Sequence, residues 1–212
     1  MSNVKQANQT KRLVQTALMV ALVVVVSFVP FLGFVPLGFI KATTVHIPVI
    51  LGAVLLGPKV GGLLGAVFGL CSIIKNTMEP AVVSFVFSPL IPVPGTDSGS
   101  WKALVISLVP RILVGVLAGL VYQGLSKVDK KGYLACGAAA AVGSAVNTIF
   151  VMGLIYWLFG PAYAAAKAIP FEALLGAILT VVGTQGLAEM AVAIVLVVLV
   201  GRPLVHYLKP NS

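Results

Sequence analysis

The sequence predicts an all-α integral membrane protein: a six-transmembrane-helix bundle with long apolar extracellular loops. Hydrophobic residues make up 59% of the chain and charged residues only 9%, whereas a soluble domain carries about 25% charged residues. The mean hydropathy is +1.11. The apolar runs are too long and continuous for barrel strands, so each span must be a helix that satisfies its own backbone hydrogen bonds in lipid.

Six apolar segments approach or exceed the roughly 20 residues that a bilayer-spanning helix needs. They are predicted at residues 12–30, 44–57, 59–77, 102–125, 132–159 and 172–200. The second is short and ends at Gly57-Pro58, so it should form a tight pair with the third. The predicted organisation is a single transmembrane domain, residues 12–208, between cytoplasmic tails at residues 1–11 and 209–212.

The connections between these spans differ in length and charge. The loops at 31–43, 78–100 and 160–171 are long and share one side, whereas both termini and the short loops share the other. Nine basic residues lie on the terminal side: Lys5, Lys11, Arg12, Lys59, Lys127, Lys130, Lys131, Arg202 and Lys209. Four lie on the long-loop side: Lys41, Lys75, Lys102 and Lys167. The positive-inside rule therefore predicts cytoplasmic termini. Because the basic residues follow this rule, the net charge of +9 does not indicate nucleic-acid binding.

The long loops are too apolar for solvated linkers. They contain Phe31, Phe34, Pro36, Phe39, Phe85, Phe87, Pro89, Pro92 and Tyr163. This composition argues against disorder, and long loops in compact proteins are often lids or binding loops. We expect them to fold down onto the helices. Simple packing at helix ends is the alternative.

Small residues recur at four-residue spacing in three spans. The third and fourth spans carry Gly61, Gly65, Gly69, Gly115 and Gly119, and the TALMVAL stretch of the first carries Ala17 and Ala21. Such stripes let helix backbones approach closely in lipid. For the glycines we predict packing within the protein. For the alanines the residues themselves leave open whether the partner is internal or external.

A single cation lies within the stretch ISLVPRILVGVLAG. Placing Arg111 at a helix centre costs roughly 2.5–3.5 kcal/mol even on the gentler insertion scales. From a helical rise of about 1.5 Å per residue, Arg111, Asn147 and Gln185 can converge on one pocket open to the outside. A guanidinium clamps carboxylates or phosphates, and amides fix hydroxyl or amide groups. The alternative is a direct pair between Arg111 and Glu189.

Other polar residues at membrane depth give no catalytic pattern. A lone histidine in a membrane span, such as His46, is more often a packing residue than a ligand. Lys75 and Asn76 lie at the outer end of the third span. The spans contain no pair of carboxylates, no nucleophile with a base and no His/Cys spacing typical of a metal site. The chain also lacks the GxxxxGK[ST] phosphate loop. We therefore expect no enzyme activity, no ATP hydrolysis, no metal and no cofactor in this chain.

These features together resemble the S components of energy-coupling factor (ECF) vitamin transporters. The resemblance covers nearly the whole chain. It depends on the six spans, on TALMVAL, on KATTVHIPVILGAVLLGPKVGGLLGAVFGL and on the loop containing FSPLIP. The sequence is most similar to the subgroup that includes the pantothenate-specific type.

The resemblance implies a vitamin pocket built from the last three helices and the long loops. The candidate substrate-binding residues are Arg111, Asn147, Gln185, Asn76, Lys75, His46, Phe39, Phe87 and Tyr163. It also implies that Ala17 and Ala21 pack on a separate transmembrane T component, and that two ABC ATPase subunits supply the energy. The S component would then reorient in the membrane to deliver its vitamin.

The predicted substrate is a small carboxylate vitamin, with pantothenate the best guess. Folate, pyridoxine or a thiamin precursor are alternative vitamins for an S component. Two other functions are alternatives: a secondary carrier that works without partners, and an intramembrane enzyme. The first lacks support because no internal repeat is visible, and the second because Glu189 and His46 are far apart in sequence.

Overall fold

A computed structural model describes residues 2–29, 33–37, 40–129 and 131–208. Within these residues, five helices are long and apolar enough to cross a membrane, and a sixth apolar helix is shorter. The prediction of a helical, multi-pass membrane protein is therefore confirmed. Some predicted features lie outside the described residues: Phe31, Phe39, Lys130, Lys209 and the tail at 209–212.

The helices follow the predicted order. The first five are α1 (Ser2–Phe28), α2 (His46–Leu56), α3 (Pro58–Met78), α4 (Lys102–Leu125) and α5 (Tyr133–Ala166). The last span is a longer rod made of α6 (Phe171–Val181), α7 (Leu187–Leu196) and α8 (Arg202–Leu208). Two π-helical turns, Val182–Gly186 and Val197–Gly201, connect the three parts of this terminal rod.

Three helix ends differ from the prediction by seven or more residues, and one of them is the end of the terminal rod, at Leu208 instead of residue 200. The first helix begins at Ser2 instead of residue 12, so most of the stretch predicted as a tail is part of the helix. The fifth continues to Ala166, seven residues beyond the predicted end, and includes Pro161. Because alanine is the best helix former, the run AYAAA favours this extension. A short turn with Ala168 at φ 54° then leads into α6.

The loop after α1 contains a β-hairpin that the sequence did not reveal. Its strands are β1 (Phe34–Leu37) and β2 (Ile40–Thr43), which pair antiparallel with Phe34 opposite Thr43. The second strand contacts α7 and the first π turn. This long loop therefore lies against the bundle, as its composition predicted.

The loop between α3 and α4 also folds onto the helices. Its short 3₁₀ turn, Ser84–Val86, is buried, and the Phe85 ring packs edge-on against Phe159 with centroids 5.7 Å apart. The Ser84 hydroxyl donates to Asn76 Oδ1 (2.8 Å), and the Thr77 and Ser88 hydroxyls share a hydrogen bond of 2.7 Å. These contacts confirm the prediction for this loop, and they fix its position above the cavity described below.

The glycines of α3 and α4 form a close seam between the two helices. A Cβ atom at Gly61 would meet the backbone of Gly115, and one at Gly65 would collide with the Arg111 carbonyl group. One at Gly69 would lie 2.5 Å from the Ser107 carbonyl oxygen. The prediction that these glycines serve packing within the protein is confirmed.

Candidate functional site

Arg111 is buried in α4, directly after a proline in the helix interior. Pro110 has no N–H, so the Ile106 carbonyl four residues earlier loses its usual helical partner. The Arg111 Nη1 group donates to that carbonyl oxygen. The arginine side chain therefore supplies the hydrogen bond that its neighbouring proline cannot donate.

Two aromatic rings flank the guanidinium. The Arg111 Cζ atom lies 5.5 Å from the ring centroid of Phe68 on α3 and 5.3 Å from that of Phe87 in the α3–α4 loop. Both distances fall in the range of cation–π attraction. The Ser107 hydroxyl holds the loop in place by donating to the Phe87 carbonyl oxygen (2.6 Å). The rings fix the guanidinium orientation while its Nε atom makes no hydrogen bond within the described residues.

Two adjoining cavities meet at these three side chains. The larger, about 260 Å³, lies toward α1 and the ends of α2 and α3. It is lined by Ser27, Val45, Phe68, Cys71, Ser72, Lys75, Asn76, Phe87 and Arg111. The Lys75 ammonium group donates to the Ser27 carbonyl oxygen at the end of α1 (3.1 Å). This larger lobe is positively charged.

The smaller cavity, about 140 Å³, lies toward α5 and the terminal rod. It is lined by Phe68, Phe87, Arg111, Asn147, Thr148, Val151, Met152, Val181, Gln185 and Glu189. The Oδ1 atom of Asn147 and the hydroxyl of Thr148 are buried without a hydrogen-bond partner in the described part of the chain. Since buried polar atoms in native proteins are nearly always satisfied, this smaller lobe has unused hydrogen-bonding capacity.

The first π turn shapes the smaller lobe. It places Gln185 one turn before Glu189, and the Gln185 Nε2 group donates to Glu189 Oε1 (3.1 Å). Gly186 in the same turn lets the rod approach α5, because a Cβ there would lie 2.9 Å from Thr148 Cγ2. Single π turns are frequent at functional sites, and here the turn brings an amide and a carboxylate to one wall.

The structure brings together most of the residues predicted from the sequence. Six of them line one or both lobes: Arg111, Asn147, Gln185, Asn76, Lys75 and Phe87. His46 instead lies fully buried at the start of α2 and lines neither lobe. Tyr163 lies near the end of α5, where Lys167 Nζ is 5.9 Å from its ring centroid, and it also lines neither lobe. Phe39 lies outside the described residues.

Phe68 is a cavity residue that sequence reasoning missed. It lies three residues before Cys71 and seven before Lys75, so the three share one face of α3. This spacing was the available signal, but the glycine stripe around Phe68 pointed to helix packing. The Phe68 side chain instead lines both lobes of the cavity.

The predicted alternative, a direct pair between Arg111 and Glu189, does not form. The two side chains line the same smaller lobe, but the structure forms no salt bridge between them. The guanidinium is oriented by Ile106 and the two rings, and the carboxylate accepts from Gln185. Both side chains therefore line the smaller lobe without forming an ion pair with each other.

A further cavity, about 630 Å³, lies at the opposite end of the bundle, and its lining includes none of the predicted site residues. Its walls are the C-terminal ends of α2 and α4, together with Arg12 and Gln15 of α1. Arg12 donates to the Leu56 carbonyl oxygen at the end of α2 (3.0 Å). Because helix C-termini carry partial negative charge, the cation there neutralises the protein's own carbonyls.

The small-residue stripe of α1 faces away from the bundle. Ala17 and Ala21 are both exposed, and Leu18 beside them is 70% exposed. The opposite face of the helix is buried through Val23 and Ser27. The two alanines therefore have no packing partner in the described residues of this chain.

Comparison with known proteins fits this architecture. A family model described as "ECF transporter, substrate-specific component" matches residues 11–201. The chain belongs to this family. The match includes every helix that lines the two lobes, so the cavity lies within the family's substrate-specific component.

Two relatives with assigned names are similar over most of their length. The pantothenic acid transporter PanT of Lactococcus lactis subsp. cremoris is 40% identical over 157 residues, which is 74% of each chain. The pantothenate transporter PanT of Leuconostoc mesenteroides subsp. mesenteroides is 27% identical over 204 residues, covering 93% of this chain and 94% of the relative.

Proposed function

We propose that this protein binds pantothenate in the two-lobed cavity and is the substrate-specific subunit of an ATP-driven importer. The names of the two relatives support the substrate. The chemistry of the cavity supports it independently. Pantothenate has a carboxylate, a central amide and two hydroxyls, and the cavity offers cations, amides and acceptor oxygens.

The observation that carries this proposal is the environment of Arg111. Its side chain is 6% exposed, and it forms no salt bridge with any described carboxylate. A buried charge is costly unless it is paired, and intramembrane cations usually mark substrate pathways. A carboxylate ligand at the junction of the lobes would supply the missing counter-ion.

Membership of this family supports our proposal for the remaining parts of the importer. The exposed Ala17 and Ala21 bind the transmembrane T component, and two ABC ATPase subunits provide the energy. Both termini lie in the cytoplasm, so the hairpin and the α3–α4 loop cover the cavity on the outer side. The vitamin is bound by Arg111 together with five other residues that line the lobes: Lys75, Asn76, Phe87, Asn147 and Gln185. Three further residues stay predictions: His46 and Tyr163 line neither lobe, and Phe39 lies outside the described residues.

The test is direct binding by the purified protein. Mass spectrometry of protein purified without added vitamin should identify pantothenate as the co-purifying ligand. Calorimetry should then show about 10- to 100-fold weaker binding in Arg111→Gln, because hydrogen bonds to charged groups contribute about 1.5–3 kcal/mol. Arg202→Gln is the matched control. That guanidinium lies over the Tyr133 ring at 4.1 Å and is remote from both lobes.

Two results would contradict the proposal. Unchanged affinity in Arg111→Gln would exclude the guanidinium as the carboxylate partner. Uptake by cells that continues after ATP depletion, but stops when the proton gradient is collapsed, would favour a stand-alone secondary carrier instead.

A further inference from the structure

One turn of α4 joins a buried proline to the cation that follows it. In a regular α-helix the N–H group of residue 110 would donate to the carbonyl oxygen of residue 106. Pro110 has no N–H group, and the Ile106 carbonyl oxygen accepts from Arg111 Nη1 instead. The proline therefore leaves a backbone acceptor, inside the protein, for the guanidinium.

This hydrogen bond restricts the guanidinium but uses only part of its donors. Arginine carries five N–H donors in a planar, rigid fork. Within the described residues, Nη1 donates to Ile106 and Nε makes no hydrogen bond. Because the fork is rigid, holding one nitrogen against the backbone limits the directions that the other donors can take. Since Arg111 lines both lobes, a ligand in the cavity meets donors that are already oriented.

The position of α4 is fixed separately, by its packing on α3. A Cβ atom at Gly65 would collide with the Arg111 carbonyl group, and one at Gly69 would lie 2.5 Å from the Ser107 carbonyl oxygen. The two helices are therefore in close backbone contact three residues before Pro110 and one residue after it. Replacing the proline should release the Arg111 side chain without displacing the helix that carries it.

Another proline inside a helix provides a comparison. Pro161 lies inside α5, and it likewise leaves the carbonyl group of residue 157 without a helical N–H donor. It is followed by Ala162 instead of a cation, and it lines neither lobe. The two prolines thus make the same change to the helix backbone, but only Pro110 makes it beside a ligand-binding cation.

We propose that Pro110 is a positioning residue for substrate binding, because the carbonyl group it leaves free holds the Arg111 guanidinium ready for the ligand carboxylate. This inference rests on the proposed function. Immobilising a side chain with many rotamers weakens binding, and a side chain that is already held avoids this cost. A proline in a helix interior is normally unfavourable, so at this position the helix gives up stability while the site gains affinity.

The test restores the missing N–H group and measures affinity and stability together. Pro110→Ala and Pro110→Val both add the donor, and valine stays close to proline in size at this buried position. Pro161→Ala is the matched control, and Pro110→Ala is also made in an Arg111→Gln background. Calorimetry gives the affinity of each purified protein for pantothenate. Thermal unfolding in detergent without ligand gives its stability.

The expected result is a loss of affinity without a loss of stability. Both Pro110 variants should bind pantothenate about 2- to 10-fold more weakly than wild type, as expected when one long side chain must be ordered on binding. Their unfolding midpoints should be equal to that of wild type or higher, because the helix gains a hydrogen bond. Pro161→Ala should bind like wild type. In the Arg111→Gln background, Pro110→Ala should leave the affinity unchanged.

Other patterns would overturn the inference. Wild-type affinity in both Pro110 variants would show that the guanidinium does not need the free carbonyl group. An equal loss of affinity with and without Arg111 would show that Pro110 acts through another residue. A lower unfolding midpoint, or failure to fold, in both Pro110 variants would make the proline a structural residue. Unchanged affinity in Arg111→Gln alone would instead overturn the proposed function, so the two failures are distinguishable.

Discussion

Two stripes of small residues have the same spacing but opposite surroundings. In α3, Gly61 and Gly65 are buried against the backbone of α4. In α1, Ala17 and Ala21 are exposed, and the helix packs on the bundle through its other face. Only 11% of the apolar window of α1 is buried, compared with 39% in α3 and 44% in α4.

This difference shows what a small-residue stripe does and does not determine. Four-residue spacing leaves a smooth face on which another helix can pack closely. Whether that helix belongs to the same chain depends on the remaining faces. In α3 the glycine face joins a neighbour that carries the matching Gly115, whereas α1 turns bulkier residues such as Val23 inward. The glycine stripe therefore joins two helices of this chain, whereas the alanine stripe is exposed in this chain.

The most severe test of the glycine seam is Gly65→Leu. The new Cβ would collide with the Arg111 carbonyl group, and a backbone obstacle cannot move aside as a flexible side chain does. Overpacking a core costs about 1–3 kcal/mol, and we expect a loss at or above the upper end of this range. The thermal unfolding midpoint in detergent should fall strongly, and pantothenate binding should be lost because α4 is displaced.

Gly153→Leu provides the control for this effect. Gly153 is an exposed glycine on α5, and a Cβ there would meet nothing within 4 Å. Its unfolding midpoint should remain close to that of the wild type. Equal losses in the two variants would mean that α3 and α4 do not depend on the seam.

The helices and the glycine seam could be predicted because they depend on local patterns. Apolar length fixes the spans, and the four-residue period fixes which glycines share a face. The hairpin at residues 34–43 has no such signal, because its strands are short and contain a proline. The length of α5 was underestimated because Gly160 and Pro161 suggest a loop, although the alanines after them favour a helix.

The site was predicted only in part, for a physical reason. Polar residues in apolar helices stand out, so Arg111, Asn147 and Gln185 were identified by their cost in lipid. Aromatic residues such as Phe68 carry no such cost and cannot be separated from ordinary packing residues. The division of the cavity into two lobes depends on the π turn and the loop carrying Phe87, and neither can be read from helical periodicity.

The alanine stripe of α1 should respond very differently from the glycine seam. In the double variant Ala17→Leu/Ala21→Leu, the new side chains point away from the bundle. The stability of the isolated protein should therefore change by no more than about 0.5 kcal/mol, as for other surface substitutions. Pantothenate binding should be retained. Assembly with the T component, measured by co-purification, and pantothenate uptake should both be strongly reduced.

A second alanine pair supplies the control. Ala173 and Ala177 in α6 have the same four-residue spacing and are also exposed, but they lie on the terminal rod rather than on α1. The variant Ala173→Leu/Ala177→Leu should assemble and transport normally. Loss of assembly in both double variants would show that the position of the stripe does not matter, and normal assembly in both would remove the proposed role of α1.

A smaller loss of stability is expected when the cap at the solvent-exposed start of α5 is removed. Asp129 caps α5, the partner of α4, by accepting from the backbone N–H groups of Ala135 (2.9 Å), Gly132 (3.0 Å) and Lys131 (3.2 Å). The bond from Ala135, together with the others, lowers the pKa of this carboxyl group. Asp129→Asn loses the charge and one acceptor oxygen, so its unfolding midpoint at neutral pH should be slightly lower, far less than in Gly65→Leu.

The pH dependence identifies the cap as the cause. Because the pKa of Asp129 is lower in the folded protein, its stabilisation is complete above the unfolded value of about 3.9 and is lost as pH falls through the folded value. The difference in midpoint between wild type and Asp129→Asn should therefore shrink when pH is lowered from about 6 to about 3. Asp97→Asn, an exposed loop variant, should differ little from wild type throughout. If the difference in midpoint stays constant with pH, the loss of stability in Asp129→Asn comes from altered packing. The charged cap would then not stabilise the helices that form the seam.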